Sequence, residues 1–190
     1  MTFDPFGDFQ TQGHLRNLAK EKDLEIVRRL EHSSFTTGID TAFEYLAKVK
    51  CLSYPDVLET HRILFEAVFP WAGQDRLKTA PDLAISKGSI LFARPEDIQR
   101  AVDFALSHGQ DKKFMAAKPG EIMGYLAYGH PFLDATDAPL WSYTAFWRTV
   151  LDSASIGLLQ EKPITDVYKR QPFYRLWCRT AVIGARSFHD

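Results

Sequence analysis

The sequence predicts a mainly α-helical fold interrupted by one short β-hairpin. Three observations carry that expectation. Apolar residues recur at helical spacing over most of the chain before His130, Ser/Pro and Pro/acid start signals recur between those runs, and one stretch with a proline and a Lys-Gly pair carries short apolar pieces instead.

Taken in order, Leu24, Ile26, Val27 and Leu30 fall near the spacing of one helix face between Lys22 and Glu31. Ser33-Ser34-Phe35-Thr36-Thr37-Gly38 then reads as a polar break that ends one helix and caps the next. Ile39, Phe43, Leu46, Ala47 and Lys50 step along the following face. Ser53 before Tyr54-Pro55 is a start signal, with Ser53 as N-cap and Pro55 in the first turn, where a missing N–H does no harm. That helix places Val57, Leu58, His61, Leu64 and Phe65 at core spacing, and Pro70-Trp71-Ala72-Gly73 ends it. From Arg76 to Phe92, Pro81, Lys87-Gly88 and the apolar pieces Leu83-Ala84-Ile85 and Ile90-Leu91-Phe92 read as an irregular hairpin. Pro95-Glu96-Asp97 opens another helix with acidic residues at its positive end, running to about His108-Gly109. Pro119 starts one more, through Ile122, Met123, Leu126 and Ala127 to His130.

At 190 residues, 45% hydrophobic and 25% charged, the chain has room for one domain with a sizeable core. A formal net charge of −1 gives no reason to expect nucleic acid or an anionic membrane as partner. Cys51 and Cys178 make neither a metal spacing nor a disulfide framework, which fits a cytoplasmic protein. No stretch approaches the roughly 20 apolar residues of a membrane helix. Met1 to Gln12 lacks a basic flank before an apolar run, so it does not read as a secretory signal, and residues 1–21 read as a loosely ordered leader.

The chemistry-bearing run is His130-Pro131-Phe132-Leu133-Asp134 at the end of an apolar helix. A histidine there suits base work near neutrality. A carboxylate four residues on can hold Mg2+ against phosphate oxygens. Phe132 between them turns inward and anchors the loop. Alone, such a histidine is more often structural. Trp71 and Phe65 read as core packing.

The order of the neighbours adds weight. His61-Arg62-Ile63-Leu64-Phe65, then Val68 to Arg76 (VFPWAGQDR), then Ile85-Ser86-Lys87-Gly88, then Phe92 to Ile98 (FARPEDI), then His130-Pro131-Phe132 follow one another. This series, over roughly Arg29 to Asp134, resembles the Fic (Fido) domain family of the protein AMP transferase type. The resemblance implies a Fic-type helical bundle with a β-hairpin flap over residues 22–134. It implies His130 as general base, Asp134 as Mg2+ ligand, and Ile85, Ser86, Lys87 and Gly88 as the flap that aligns a target segment by strand addition. It further implies ATP and Mg2+ as cofactors and a Ser, Thr or Tyr hydroxyl of a target protein as acceptor. A small antitoxin partner also belongs to that picture.

The family loop, HPFxDGNGRxxR, continues with a backbone nest and an arginine for nucleotide phosphates. Here Ala135, Thr136, Asp137 and Ala138 occupy those cofactor-binding positions. They supply no glycine for a left-handed turn and no guanidinium, and Asp137 adds a negative charge. A single lost G after the Asp134 codon accounts for the departure. Ala-Thr-Asp-Ala-Pro can be encoded GCA ACG GAC GCA CCN, and restoring the G gives GGC AAC GGA CGC ACC, Gly-Asn-Gly-Arg-Thr. Leu140 to Tyr143 and Phe146 to Gly157 reread in the same frame toward the segment that follows the loop in many relatives. The restored loop carries Met where the family's second arginine usually sits.

Residues 135–165 therefore read as the frame-shifted remainder of the domain. Asp166-Val167-Tyr168-Lys169-Arg170-Gln171 is what GAT GTG TAT AAG AGA CAG encodes, a string that looks like a transposase sequencing adapter. Residues 166–190 accordingly read as an adapter-derived or unrelated tail. Ser33 to Gly38 also has the outline of the family's inhibitory Ser/Thr-x-x-x-Glu-Gly helix, with Thr37 where the glutamate would stand, although a plain helix cap explains it more simply.

The functional expectation is thus a protein adenylyltransferase impaired as written. Two alternatives stand beside it: a catalytically inactive peptide-binding or toxin–antitoxin module, and a relative moving another phosphate-containing group.

Overall fold

The computed structural model describes residues 3–87 and 89–133. Gly88, Asp134, Ala135 to Ala138 and the expected segments 135–165 and 166–190 lie outside the described residues.

The amino-terminal part is not the loose leader expected. A short helix α1 (Phe9–Gln12) leads into a tight turn at His14–Arg16. His14, Leu15 and Asn17 are buried there. The Asn17 amide nitrogen donates to the carbonyls of His14 and Glu21, while its oxygen accepts from the Glu21 N–H. Leu18 N–H donates to Val68 O at 2.8 Å and the Trp71 indole N–H donates to Leu15 O at 2.7 Å. Residues 9–21 form a strap bonded to the Val68–Trp71 turn. Its order comes from distant hydrogen bonds, so no local periodicity announces it.

Helix α2 runs unbroken over Leu24–Leu46, with the Asp23 side chain accepting from Glu25 N–H at its start. The polar break expected at Ser33–Gly38 is therefore corrected. The Thr36 and Thr37 hydroxyls donate back to the carbonyls of His32 and Ser33 inside the helix. The Ser34 hydroxyl donates at 2.6 Å to Leu64 O on the neighbouring helix. Gly38 is a contact point rather than a cap: a Cβ there would stand 2.9 Å from Ile63 O. Val27, Phe35, Ala42 and Leu46 form the buried stripe of α2.

Helix α3 (Tyr54–Phe65), which packs on α2, starts at Ser53 as expected, with Pro55 in the first turn. Asp56 closes a capping box by accepting from Ser53 N–H at 2.9 Å. The segment read as an irregular hairpin begins instead with a helical turn, α4 (Arg76–Thr79), capped by Asp75. The hairpin itself is two antiparallel strands, β1 (Ser86–Lys87) and β2 (Ile90–Leu91), with Ser86 opposite Leu91 and Lys87 opposite Ile90.

Pro95–Asp97 forms a 3-10 turn into α5 (Ile98–Gln110). An additional helix, α6 (Lys112–Ala117), is capped by Asp111, which accepts from the amides of Lys113 and Phe114. It precedes α7 (Pro119–Gly129). Helix α7 packs on α5 so closely that a Cβ on Gly129 would lie 2.9 Å from Val102 Cγ2. Phe35, Leu64, Phe69, Ile98, Leu126 and Phe132 belong to one buried core. The fold is mainly α with a short hairpin. Among the described residues, no helix is long and apolar enough to cross a membrane.

Candidate functional site

The site is built where α7 stops. Gly129 is the last helical residue, and His130 itself takes the left-handed conformation, φ 40° and ψ 61°. Glycine ordinarily fills such a position; a side chain costs about 1–2 kcal/mol there. The exchange is intelligible, because the glycine is needed one residue earlier for the approach to Val102.

Two buried groups hold the turn. Beneath it, the Phe132 ring stacks on His61 with centroids 3.7 Å apart and planes inclined by 15°. His61 also lies 4.9 Å from Phe65 and 5.9 Å from Trp71. Its Nδ1 accepts from Gly73 N–H at 2.9 Å, which assigns the ring proton to Nε2. Behind the turn, Arg76 is fully buried. Its Nε donates to His130 O at 2.6 Å and its backbone N–H to Pro131 O at 2.7 Å. The other guanidinium nitrogens donate to Leu83 O at 3.2 Å and Ala93 O at 2.7 Å. Next to it, the buried Tyr54 hydroxyl donates to Asp75 at 2.7 Å. Burial first, and then this bond to a carboxylate, push the Tyr54 phenol well above its ordinary range.

The hairpin comes to the same place. Phe92 N–H donates to Ile85 O, extending the ladder beyond β2, and Ala93 N–H donates to Tyr128 O at 3.0 Å. The Phe92 ring then lies 4.6 Å from the His130 ring. Ile85 is buried, whereas Ser86 is exposed. Among the described residues no third strand joins β1 and β2.

The structure thus puts His130 and Phe132 on one turn and brings the hairpin to it through Phe92, which is bonded to Ile85 O; Ser86 and Lys87 lie further out, in β1. Gly88, Asp134 and Ala135 to Ala138 lie outside the described residues. Among the described residues no group of three or more His, Cys, Asp or Glu could hold a metal ion. Sequence reasoning missed Arg76 as a site residue. The available signal was an arginine fixed between the Trp-Ala-Gly turn and the hairpin, a residue type that is ordinarily exposed.

Residues 51–137, from the start of α3 through the His130 turn, match the model of the Fic/DOC family. That segment, a little under half of the chain, matches the Fic domain. Among solved structures, it is similar to the N-terminal Fic domain of a Bartonella effector protein (Bep) from Bartonella sp. AR 15-3, described as a substrate of the VirB secretion system. The TM-score is 0.53 at 16% identity, covering 76% of this chain and 72% of that chain. It is also similar to the N-terminal FIC domain of the VirB-translocated protein Bep8 from Bartonella sp. 1-1C, with TM-score 0.48, 15% identity and coverage of 79% and 77% respectively. No curated protein matches. At this identity, the first likeness speaks for the fold. Ser33–Gly38 precedes the matched residues; it is part of the continuous α2, and Thr37 is exposed with its hydroxyl turned back to Ser33 O.

Proposed function

We propose that this Fic domain descends from a protein adenylyltransferase, acting from ATP and Mg2+ on a Ser, Thr or Tyr hydroxyl of a target protein, and that the chain as written is impaired. The observation that carries this reading is His130, held on a left-handed turn with the hairpin against it. A base must face both a hydroxyl and whatever aligns that hydroxyl. In this reading His130 takes the acceptor's proton, Asp134 is the metal ligand, and the hairpin adds a target strand to its edge.

The residues that follow do not fit the nucleotide. Ala135-Thr136-Asp137-Ala138 offers neither a glycine nest nor an arginine, and it places a carboxylate among phosphates. A single-nucleotide loss after the Asp134 codon explains this departure, and an adapter-derived tail explains residues 166–190.

Calorimetry with ATP and Mg2+, together with transfer of labelled AMP to protein, tests the reading. The chain as written should neither bind nor transfer. A frame-corrected protein, bearing Gly-Asn-Gly-Arg in place of Ala135 to Ala138, should bind, and its transfer should be lost on His130→Ala. Robust labelling by the uncorrected chain, abolished by His130→Ala, would sink the damage argument. Failure of the corrected protein to bind ATP favours the peptide-binding or toxin–antitoxin module, for which the built hairpin is the supporting feature. Binding without AMP transfer points to another phosphate-containing group.

A further inference from the structure

We infer that Arg76 is a positioning residue that ties the two arms of the hairpin to the backbone of His130, so that a shift in either is felt by the other. This rests on the proposed roles of His130 as base and of the hairpin as target-aligning flap, and it concerns how those two parts communicate.

The geometry is specific to a guanidinium. Its nitrogens lie in one rigid plane with fixed donor directions. One donor reaches Leu83 O ahead of β1, one reaches Ala93 O after β2, and Nε reaches His130 O. The backbone N–H of the same residue holds Pro131 O, so two consecutive carbonyls of the turn depend on Arg76. Ala93 is bound from its other side as well, since its N–H donates to Tyr128 O near the end of α7. Rigid donors impose a fixed spacing on their acceptors. Displacing Leu83 or Ala93 therefore tilts the plane and pulls on the carbonyl that follows His130's left-handed φ.

A residue that merely filled the core would be replaceable by any side chain of similar volume. Lysine keeps the charge and much of the volume but presents a single nitrogen, which cannot meet three carbonyls arrayed around a planar fork. Tertiary burial of a charge with carbonyl partners also explains why Arg76 is fully enclosed although arginine is rarely buried.

The test uses the full chain without nucleotide. Amide hydrogen exchange and the His130 imidazole resonances are followed by NMR in the unmodified protein, in Arg76→Lys and in Arg76→Gln. The expected result is a tenfold or greater rise in exchange at Phe92 and Ala93, together with a shift and altered titration of the His130 ring, while the amides of Leu64 and Val102 stay unchanged. An effect on the hairpin alone, on His130 alone, or equally on all helices overturns the inference. If neither variant folds, the Arg76 Nε–H resonance is read in Ser86→Pro, which disrupts the exposed hairpin. It must then shift together with the His130 ring, and an unmoved Nε–H overturns the coupling. Since no nucleotide is involved, failure here leaves the AMP-transfer reading standing, and absent ATP binding leaves the coupling standing.

Discussion

Gly38→Ala separates local helix propensity from tertiary packing in this fold. In an isolated helix the change is favourable by about 1 kcal/mol. In α2 the new Cβ would stand 2.9 Å from Ile63 O and 3.3 Å from Leu64 Cα, both backbone atoms of α3. Neither can rotate away as a flexible side chain would, so the helices must separate. Overpacking of this kind costs about 1–3 kcal/mol, and α2 meets α3 at this point with Ser34 hydrogen-bonded to Leu64 O. Widening the gap strains that bond too, which puts the net destabilisation at about 1–2 kcal/mol. For a chain of this size the melting temperature should fall by roughly 3–6 °C. Urea and thermal melts by circular dichroism measure it, with Thr37→Ala as control. Thr37 is exposed and bonds only back into its own helix, so that control should stay within about 0.5 kcal/mol of the unmodified chain. A Gly38→Ala protein as stable as the parent, or more so, would refute the close approach of α2 and α3.

Two further outcomes are expected. Trp71→Phe deletes the buried indole donor to Leu15 O and should cost about 1–3 kcal/mol. Limited proteolysis should then cut residues 9–21 well before the helices, and an unchanged cleavage rate would show that the strap does not depend on this bond. The Tyr45 phenol is pushed up to about 12, first by desolvation and then by its hydrogen bond to Asp56. The folded value lies above the unfolded one of about 10, so the stabilisation is fully present below pH 10 and fades as pH rises toward 12. An ultraviolet titration should show a tyrosine phase near pH 12 that Tyr45→Phe removes, while Tyr54 still ionises later; ionisation of every tyrosine together near pH 10 would count against it.

Much of the fold was legible because its signals are local. Ser53 with Pro55, Pro95 with its acidic neighbours, and Pro119 each mark a helix start within the first turn, and at Ser53 a capping box closes there. The misread places share a different physics. Ser34, Thr36, Thr37 and Gly38 look like a break by composition, yet the hydroxyls bond to helix carbonyls and the glycine serves a neighbouring helix. Helix α6 lacked a sustained apolar period, and its stop signal at Asp111 is also its cap. The strap over residues 9–21 depends on partners some fifty residues away, as with Trp71 and Leu15.

The same division runs through the site. His130, Phe132 and the hairpin were legible from the order of short motifs along the chain. Arg76 was not, because its partners are main-chain carbonyls at Leu83, Ala93 and His130. Backbone acceptors carry no residue identity, so no pattern of side chains could point to them. His61 was read simply as a core residue, whereas its Nδ1 receives Gly73 N–H while its face supports Phe132.

The enclosed guanidinium also sets an order of assembly on the ribosome. Burying it before all its carbonyls arrive costs several kcal/mol. His130 is synthesised 54 residues after Arg76, whereas the Leu15 strap, α2 and α3 are complete by the time Trp71 emerges. The early helices can thus dock while Arg76 remains hydrated. Among the described residues α7 is the last helix to be made, and its docking lets water leave the guanidinium and the turn carrying His130 close.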